Sequence, residues 1–252
     1  LSYCADRWYY QKFGSMVHDL SRSTDVPTVA QAGRLFSYSL LVDCQTADSS
    51  IDAADYSWIA QAVEGSNFLP LAQKSFTISF WVKATKIGIY TVGLTNAAVD
   101  RSYVFEYTID AADTWEKKVV VVSASPSGGG WDYTTGRGLR ITWNLAVGSI
   151  RQTSAGSWQT GDFNGTSNQV NACDSTSNNF RLCGFQVEAG TQETPFEQRS
   201  LGEELDLCLS YFERIGGDVA NVILSTGFAS SANNGYGPVI LKKQKRGTPT
   251  IT

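Results

Sequence analysis

Apolar and polar residues alternate with a period of two along most of this chain, and that alternation leaves few folds open. Successive side chains of a strand point to opposite faces, so the pattern marks strands with one buried and one wetter face. Tyr38, Leu40, Val42 and Cys44 form one apolar face. Phe76, Ile78, Phe80 and Val82 form another, with Thr77, Ser79, Trp81 and Lys83 opposite. Tyr90, Val92 and Leu94 continue it, then Tyr103, Phe105, Tyr107 and Ile109, then Leu139, Ile141, Trp143 and Leu145. Val119 to Val122 is β-branched without alternation, which predicts a strand covered on both faces. Phe180, Leu182, Phe185 and Val187 make a last strand whose phase breaks at Gly184, the sign of a bulge or a close backbone approach. Turn clusters such as Ser125-Pro126-Ser127-Gly128-Gly129-Gly130 and Gly136-Arg137-Gly138 separate the runs. Many short strands with long loops and little helix predict an all-β antiparallel sandwich, of which the jelly roll best tolerates long crossings.

The pattern changes once. Ser200 to Ile215 reads as a helix, with Ser200 and Glu203 as a capping box and Gly216-Gly217 as its stop. Leu201, Leu205, Cys208, Phe212 and Ile215 fall on one stripe of that helix, which must pack on the sandwich or on a partner chain. Strand patterns return at Val219 to Leu224 and Val239 to Leu241. The expected organisation is therefore a jelly-roll domain over 1–197, a helical connector over 198–217 and a small β appendage over 218–252. The chain starts in mid-pattern at Leu1 without an initiating Met or a signal peptide, which reads as a fragment or processed product.

Composition excludes several functions. The net charge of −4 gives no footprint for nucleic acid. No apolar run is long enough to insert in a membrane as a helix. The single histidine, His18, rules out a His-cluster zinc site. His18 beside Asp19 reads as an exposed surface pair rather than part of a triad, and no nucleophile elbow is present. Cys4, Cys44, Cys173, Cys183 and Cys208 show no CxxC spacing and read as reduced core thiols, Cys208 buried among them.

Several stretches resemble a known family. Phe76-Thr-Ile-Ser-Phe-Trp-Val-Lys-Ala84 resembles a strand of the carbohydrate-binding-module-like jelly rolls in bacteriophage tail fibres. Asp6-Arg-Trp8, Ala112-Asp-Thr-Trp-Glu-Lys-Lys118, Gly130-Trp-Asp-Tyr133, Gly184-Phe-Gln-Val-Glu-Ala-Gly190 and Arg246-Gly-Thr-Pro-Thr250 are similar to motifs of that family, in the same order. The resemblance implies a non-enzymatic, homotrimeric virion protein at or near the distal end of a fibre; the function expected from it and from the loop aromatics is recognition of a host cell-surface glycan, with contacts to other virion proteins. The alternative is a structural or decorative virion domain that binds only viral proteins. A glycan-cleaving enzyme, the third possibility, needs two facing carboxylates; Glu64, Glu106 and Glu188 sit on or near strands.

Sugar binding uses flat aromatic rings and planar polar groups. Trp131, Asp132, Tyr133 and Arg137 supply both in one glycine-rich loop, unless Trp131 folds back to cap the sandwich. Trp81 lies on the polar side of its strand, where it lines a sheet face, an interface or the underside of a loop; Arg140, Thr142 and Asn144, on the polar side of what reads as a neighbouring strand, could join it. Trp158 with Gln159 is a further loop candidate, whereas Trp8, Trp58, Trp115 and Trp143 read as core. The helix stripe and the C-terminal strands are the expected trimer contacts. No cofactor is expected; a structural Ca²⁺ of the kind such modules hold would draw on Asp6, Asp43, Asp48, Asp52 and Asp55, which otherwise are solvated loop acids. Asn164-Gly165-Thr166 is either a glycosylation sequon or a plain turn, and Lys242, Lys243, Lys245 and Arg246 read as a solvated, lysine-guarded edge strand.

Overall fold

The structure is a computed structural model that describes residues 2–5, 7–209, 213, 228–231, 234–236, 241–243 and 245. It divides into two compact units, Leu1–Phe196 and Glu197–Thr252. The first unit contains, in chain order, β1 (Ser2–Ala5), β2 (Trp8–Phe13), β3 (Val17–Ser23), the single-turn helix α1 (Val29–Ala32), β4 (Ser39–Thr46) and β5 (Tyr56–Glu64). A second single turn, α2 (Gly65–Phe68), precedes β6 (Phe76–Ala84), β7 (Gly88–Asn96), β8 (Arg101–Ile109) and β9 (Glu116–Val122). β10 (Arg137–Val147), β11 (Trp158–Thr160) and β12 (Asn179–Ala189) complete it.

The strands form a seven-stranded sheet, β1-β2-β5-β10-β7-β8-β11, and a five-stranded sheet, β3-β4-β12-β6-β9, with antiparallel neighbours throughout. The chain passes repeatedly from one sheet to the other, and the result is the jelly-roll sandwich that the alternation predicts. Phe76, Ile78, Phe80 and Val82 of β6 meet Val92, Leu94, Ile141 and Trp143 of the opposite sheet in one core. Trp143 is fully buried, stacks on Trp8 at 5.3 Å and meets Phe185 edge-on at 4.8 Å.

Gly184 shows why the phase of β12 breaks. It sits in a left-handed conformation at φ 55°, inside a bulge between Cys183 and Gln186. A Cβ there would come within 2.8 Å of the Phe36 ring and 3.3 Å of Trp81. β9 departs from expectation. It is an edge strand rather than one covered on both faces, and Val119 and Val121 are exposed.

His18 is likewise buried, not a surface residue. A hydrogen bond of 2.7 Å joins the Tyr10 hydroxyl to His18 Nδ1, and the same hydroxyl lies 3.1 Å from Ser57 Oγ. Cys44, Cys173 and Cys183 are free, buried thiols, whereas Cys208 is exposed, contrary to its expected place in the core.

In the second unit, the described helix is α3 (Leu201–Leu209). Its capping box forms as expected: Ser200 N donates to Glu203 Oε2 at 2.8 Å, and Glu203 N donates to Ser200 Oγ at 3.3 Å. Leu201 and Leu205 are exposed, while Phe212 and Ile215 lie outside the described residues. So do the strand patterns at 219–224, Val239 and the Arg246–Thr250 motif. A hairpin of β13 (Phe228–Ser231) and β14 (Asn234–Tyr236) is the described β structure of this unit. Among the described residues Lys243 and Lys245 lie outside any strand: they pair with Asp206 and Glu213, and Lys245 also donates to the Leu209 carbonyl.

Candidate functional site

The outer face of the seven-stranded sheet is closed by the chain itself. Arg140, Thr142 and Asn144 alternate with core residues and point outward from β10, as their polarity implies, yet all three are buried. The segment 162–171 straps across them. Asn144 Nδ2 donates to the Asn164 carbonyl at 2.6 Å, and Thr142 Oγ1 lies 3.3 Å from Asn164 Oδ1. Arg140 pairs with Asp162 at 3.1 Å, Asp162 pairs with Arg151, and Thr91 hydrogen-bonds Gln169. Burial lowers the Arg140 pKa, and the Asp162 charge opposes that shift. Asn164 has no exposed surface, so the folded chain offers no glycosylation acceptor there. The signal in the sequence is Gly93, at the centre of β7. A Cβ at that position would lie 2.7 Å from Asn164 Cα, so only glycine lets the strap approach.

Trp81 and the Arg140–Asn144 group do not share a face. β6 and β10 belong to different sheets, so their outward side chains lie on opposite sides of the sandwich. Half-buried Trp81 lies beside Phe36, in a region where the Arg34 guanidinium lies 5.1 Å from the Phe36 ring and 5.0 Å from the Phe196 ring. Nearby, Asp25 gathers Lys83 at 2.8 Å, Arg181 at 3.3 Å and the buried Trp115 indole at 2.9 Å. Desolvation raises the Asp25 pKa, but the hydrogen bonds from Lys83 and Trp115 outweigh it and hold the carboxyl below its ordinary value.

Two other candidates are brought together. Trp131 stacks on the buried Phe68 ring at 5.2 Å and meets Trp158 edge-on at 5.6 Å; Tyr133 lies parallel to Phe68 at 6.4 Å. Trp158, directly opposite Tyr103 in β8, spans the flank of the sandwich, where its indole donates to the Ser123 carbonyl at 2.9 Å. Trp131 donates to the Gly128 carbonyl at 3.1 Å. Both indoles are half-buried: they cover the core edge and keep part of each ring exposed.

The loop carrying Trp131 is held by backbone geometry. Asn96 Nδ2 donates to the Gly130 carbonyl at 3.0 Å, and Gly130 N donates to the Asp100 carboxylate at 3.2 Å. Gly129 occupies φ 111°, a conformation that favours glycine. Asp132 closes the next turn by accepting from Thr134 N at 2.6 Å and Thr134 Oγ1 at 2.8 Å, bonds that lower its pKa. Arg137 donates to the Ala97 carbonyl at 3.0 Å, and Gln159 donates to Ser157 Oγ at 2.8 Å.

Glu64 and Glu106 do not form a hydrolytic pair. Glu106 and Glu188 lie in different sheets. Glu106 shares a register row with Thr91, Asn144 and Trp58, three strands and six residues from Glu64. At roughly 3.3 Å per residue and 4.8 Å per strand, that separation is about 24 Å. Glycosidic pairs stand about 5–10 Å apart. Of the early aspartates, Asp48 accepts from Ser15 N at 3.1 Å and Ser50 N at 3.3 Å, and Asp55 accepts from Asp52 N at 3.2 Å. Among the described residues, no group of three His, Cys, Asp or Glu side chains could hold a metal ion. No described helix is long and apolar enough to cross a membrane.

No protein-family model matches the chain, and no curated protein matches it. Among solved structures, it is similar to the enzymatically active domain of tailspike protein 4 of bacteriophage CBA120, with a TM-score of 0.41 and 13% identity over 73% of this chain and 20% of that one. It is also similar to a family 11 carbohydrate-binding module from Clostridium thermocellum in complex with a mixed-linked tetrasaccharide, with a TM-score of 0.40 and 10% identity over 75% and 92% of the two chains. A putative sugar-binding protein from Bacteroides thetaiotaomicron gives 0.41 and 10% over 74% and 89%. The chain thus spans a fifth of the tailspike chain. Likeness at this level leaves the function to be argued from the chain's own residues.

Proposed function

We propose that this chain is a non-enzymatic glycan-binding domain whose platform is the Trp131–Trp158 pair. The observation that carries the reading is the meeting at 5.6 Å of two half-buried indoles, one from the loop before β10 and one from the short strand β11. Their N–H groups are already satisfied by backbone carbonyls, so the exposed ring surface is left for the apolar face of a sugar. In this reading Asp132 of the same loop as Trp131, Arg137 at the start of β10 and Gln159 of β11 are the polar groups that would meet hydroxyls. The finer reading is recognition of a host cell-surface polysaccharide by a phage fibre or related virion appendage, as a homotrimer. Three linked shallow sites would raise the effective affinity by two orders of magnitude or more.

The test is an array of bacterial surface glycans probed with the purified protein after light scattering has given its oligomeric state. Binding that disappears in Trp131→Ala and Trp158→Ala, with the oligomer intact, supports the reading; binding untouched by either variant removes it. One observation favours the alternative of a structural virion domain: Leu201 and Leu205 are 85% and 58% exposed on α3, an apolar surface suited to a protein contact. A verified oligomer that binds no glycan but loses assembly in Leu205→Asp would favour that alternative.

A further inference from the structure

Beside the strap, a cleft of about 660 Å³ opens between the loop after β10 and the segment 166–168. Its lining includes Glu106, Gln152, Thr153, Ser154, Thr166 and Asn168, with no aromatic side chain, and Glu106 is the one charged residue in it. The walls are fixed by backbone. Gln152 bridges to Gly165, Thr153 N donates to the Gly165 carbonyl at 2.9 Å, and Gln152 Nε2 donates to the Val147 carbonyl at 2.7 Å. Glu106 is fixed as well: Oε1 accepts from Thr166 Oγ1 and, at 3.0 Å, from Asn168 Nδ2. Its Oε2 accepts no hydrogen bond, and the carboxylate forms no ion pair, among the described residues.

We propose that this cleft is a second binding site, separate from the tryptophan platform, and that it takes a hydroxyl-rich sugar carrying a free, protonated amine. A ligand filling the cleft strips water from Oε2 and must compensate a carboxylate that has no counter-ion. A protonated amine does so through a charge-assisted hydrogen bond, whereas a neutral sugar offers weaker hydroxyl donors and an acidic sugar is repelled. The hydroxyl and amide groups of Thr153, Ser154, Thr166 and Asn168 both donate and accept, as ring hydroxyls require. The volume lies within the range of about 300–1,000 Å³ usual for small-molecule sites.

The test is titration calorimetry of the whole chain with three tetrasaccharides, of glucosamine, of N-acetylglucosamine and of galacturonic acid, at a pH where the amine is protonated. The glucosamine tetramer binds, the acetylated one binds at least tenfold more weakly, and the acidic one does not bind. Glu106→Gln weakens glucosamine binding at least tenfold. Ser154→Lys, on the exposed wall, does the same by placing a competing cation in the cleft and decides the matter if Glu106→Gln fails to fold. Equal binding of the acetylated sugar, no binding of the glucosamine tetramer by the folded chain, or unchanged affinity in the folded variants overturns the proposal.

Discussion

Acidification from pH 7 to 4.5 should remove about 2 kcal/mol of stability through one side chain, His18. Burial lowers its pKa from 6.5 to about 4, Lys12 pushes the same way, and Asp43 opposes. The unfolded chain therefore takes up the proton first. The stability contribution is complete above pH 6.5, is lost as the pH falls toward 4, and stays lost below that. At about 1.36 kcal/mol per pKa unit the whole loss is about 3 kcal/mol, of which about 2 accrue by pH 4.5. The upper part of the window, from pH 7 to 5.5, is clean because His18 is the chain's one histidine. Asp25, Asp174 and Glu188 have depressed pKa values, so their contributions are complete well above the ordinary 3.8 or 4.5, begin to fall near the low end of this range and are lost mostly below it. Urea unfolding at pH 7, 5.5 and 4.5, followed by tryptophan fluorescence, measures the slope. In His18→Gln the slope should vanish between pH 7 and 5.5 and shrink to the carboxylates' share between 5.5 and 4.5, whatever that variant's stability at pH 7. A wild-type chain with flat stability from pH 7 to 4.5, or a variant that keeps the slope, would refute the buried, neutral histidine.

Two other outcomes follow from the packing. Asn164→Ala removes the acceptor shared by Arg140 and Thr142 beneath the strap and should cost about 2–3 kcal/mol. A fall in melting temperature of roughly 6 °C would register it, and an unchanged melt would show that the strap is not held there. In thiol labelling of the folded chain read by mass spectrometry, Cys208 should react well before Cys44, Cys173 and Cys183. Burial raises the Cys183 pKa to about 11 and the Cys173 pKa to about 12. Early modification of Cys173 would contradict its burial.

Most core strands were legible because alternation is a local signal. β6, β7, β8, β10 and β12 fall where their apolar faces place them, with Phe80, Val92, Ile141 and Phe180 in the core. Strand partners were not legible, since pairing is decided by residues far apart. β6 and β10 read as neighbours, yet β6 lies between β12 and β9 while β10 lies between β5 and β7. The same limit explains Arg140 and Asn144. Their outward polarity suggested solvent, but a polar strap twenty residues on satisfies them as water would, and only Gly93 hinted at its approach. Within the tryptophan site, each residue was visible as a loop aromatic. The convergence of Trp131 and Trp158, and the role of Phe68 beneath Trp131, depends on contacts between segments distant in the chain. The aromatic run of Phe13, Tyr56 and Trp58 under Arg151 was missed because Trp58 reads as ordinary core. It stacks on Tyr56 at 3.9 Å on the outer face of the seven-stranded sheet.

The most direct measurement is a titration of indole-labelled protein with a glycan that binds on the array, read by NMR on the side-chain N–H signals of the seven tryptophans. The account expects the Trp131 and Trp158 signals to shift together, with those of the buried Trp58, Trp115 and Trp143 unmoved. Shifts centred on Trp81, or binding that moves no tryptophan signal, would contradict it.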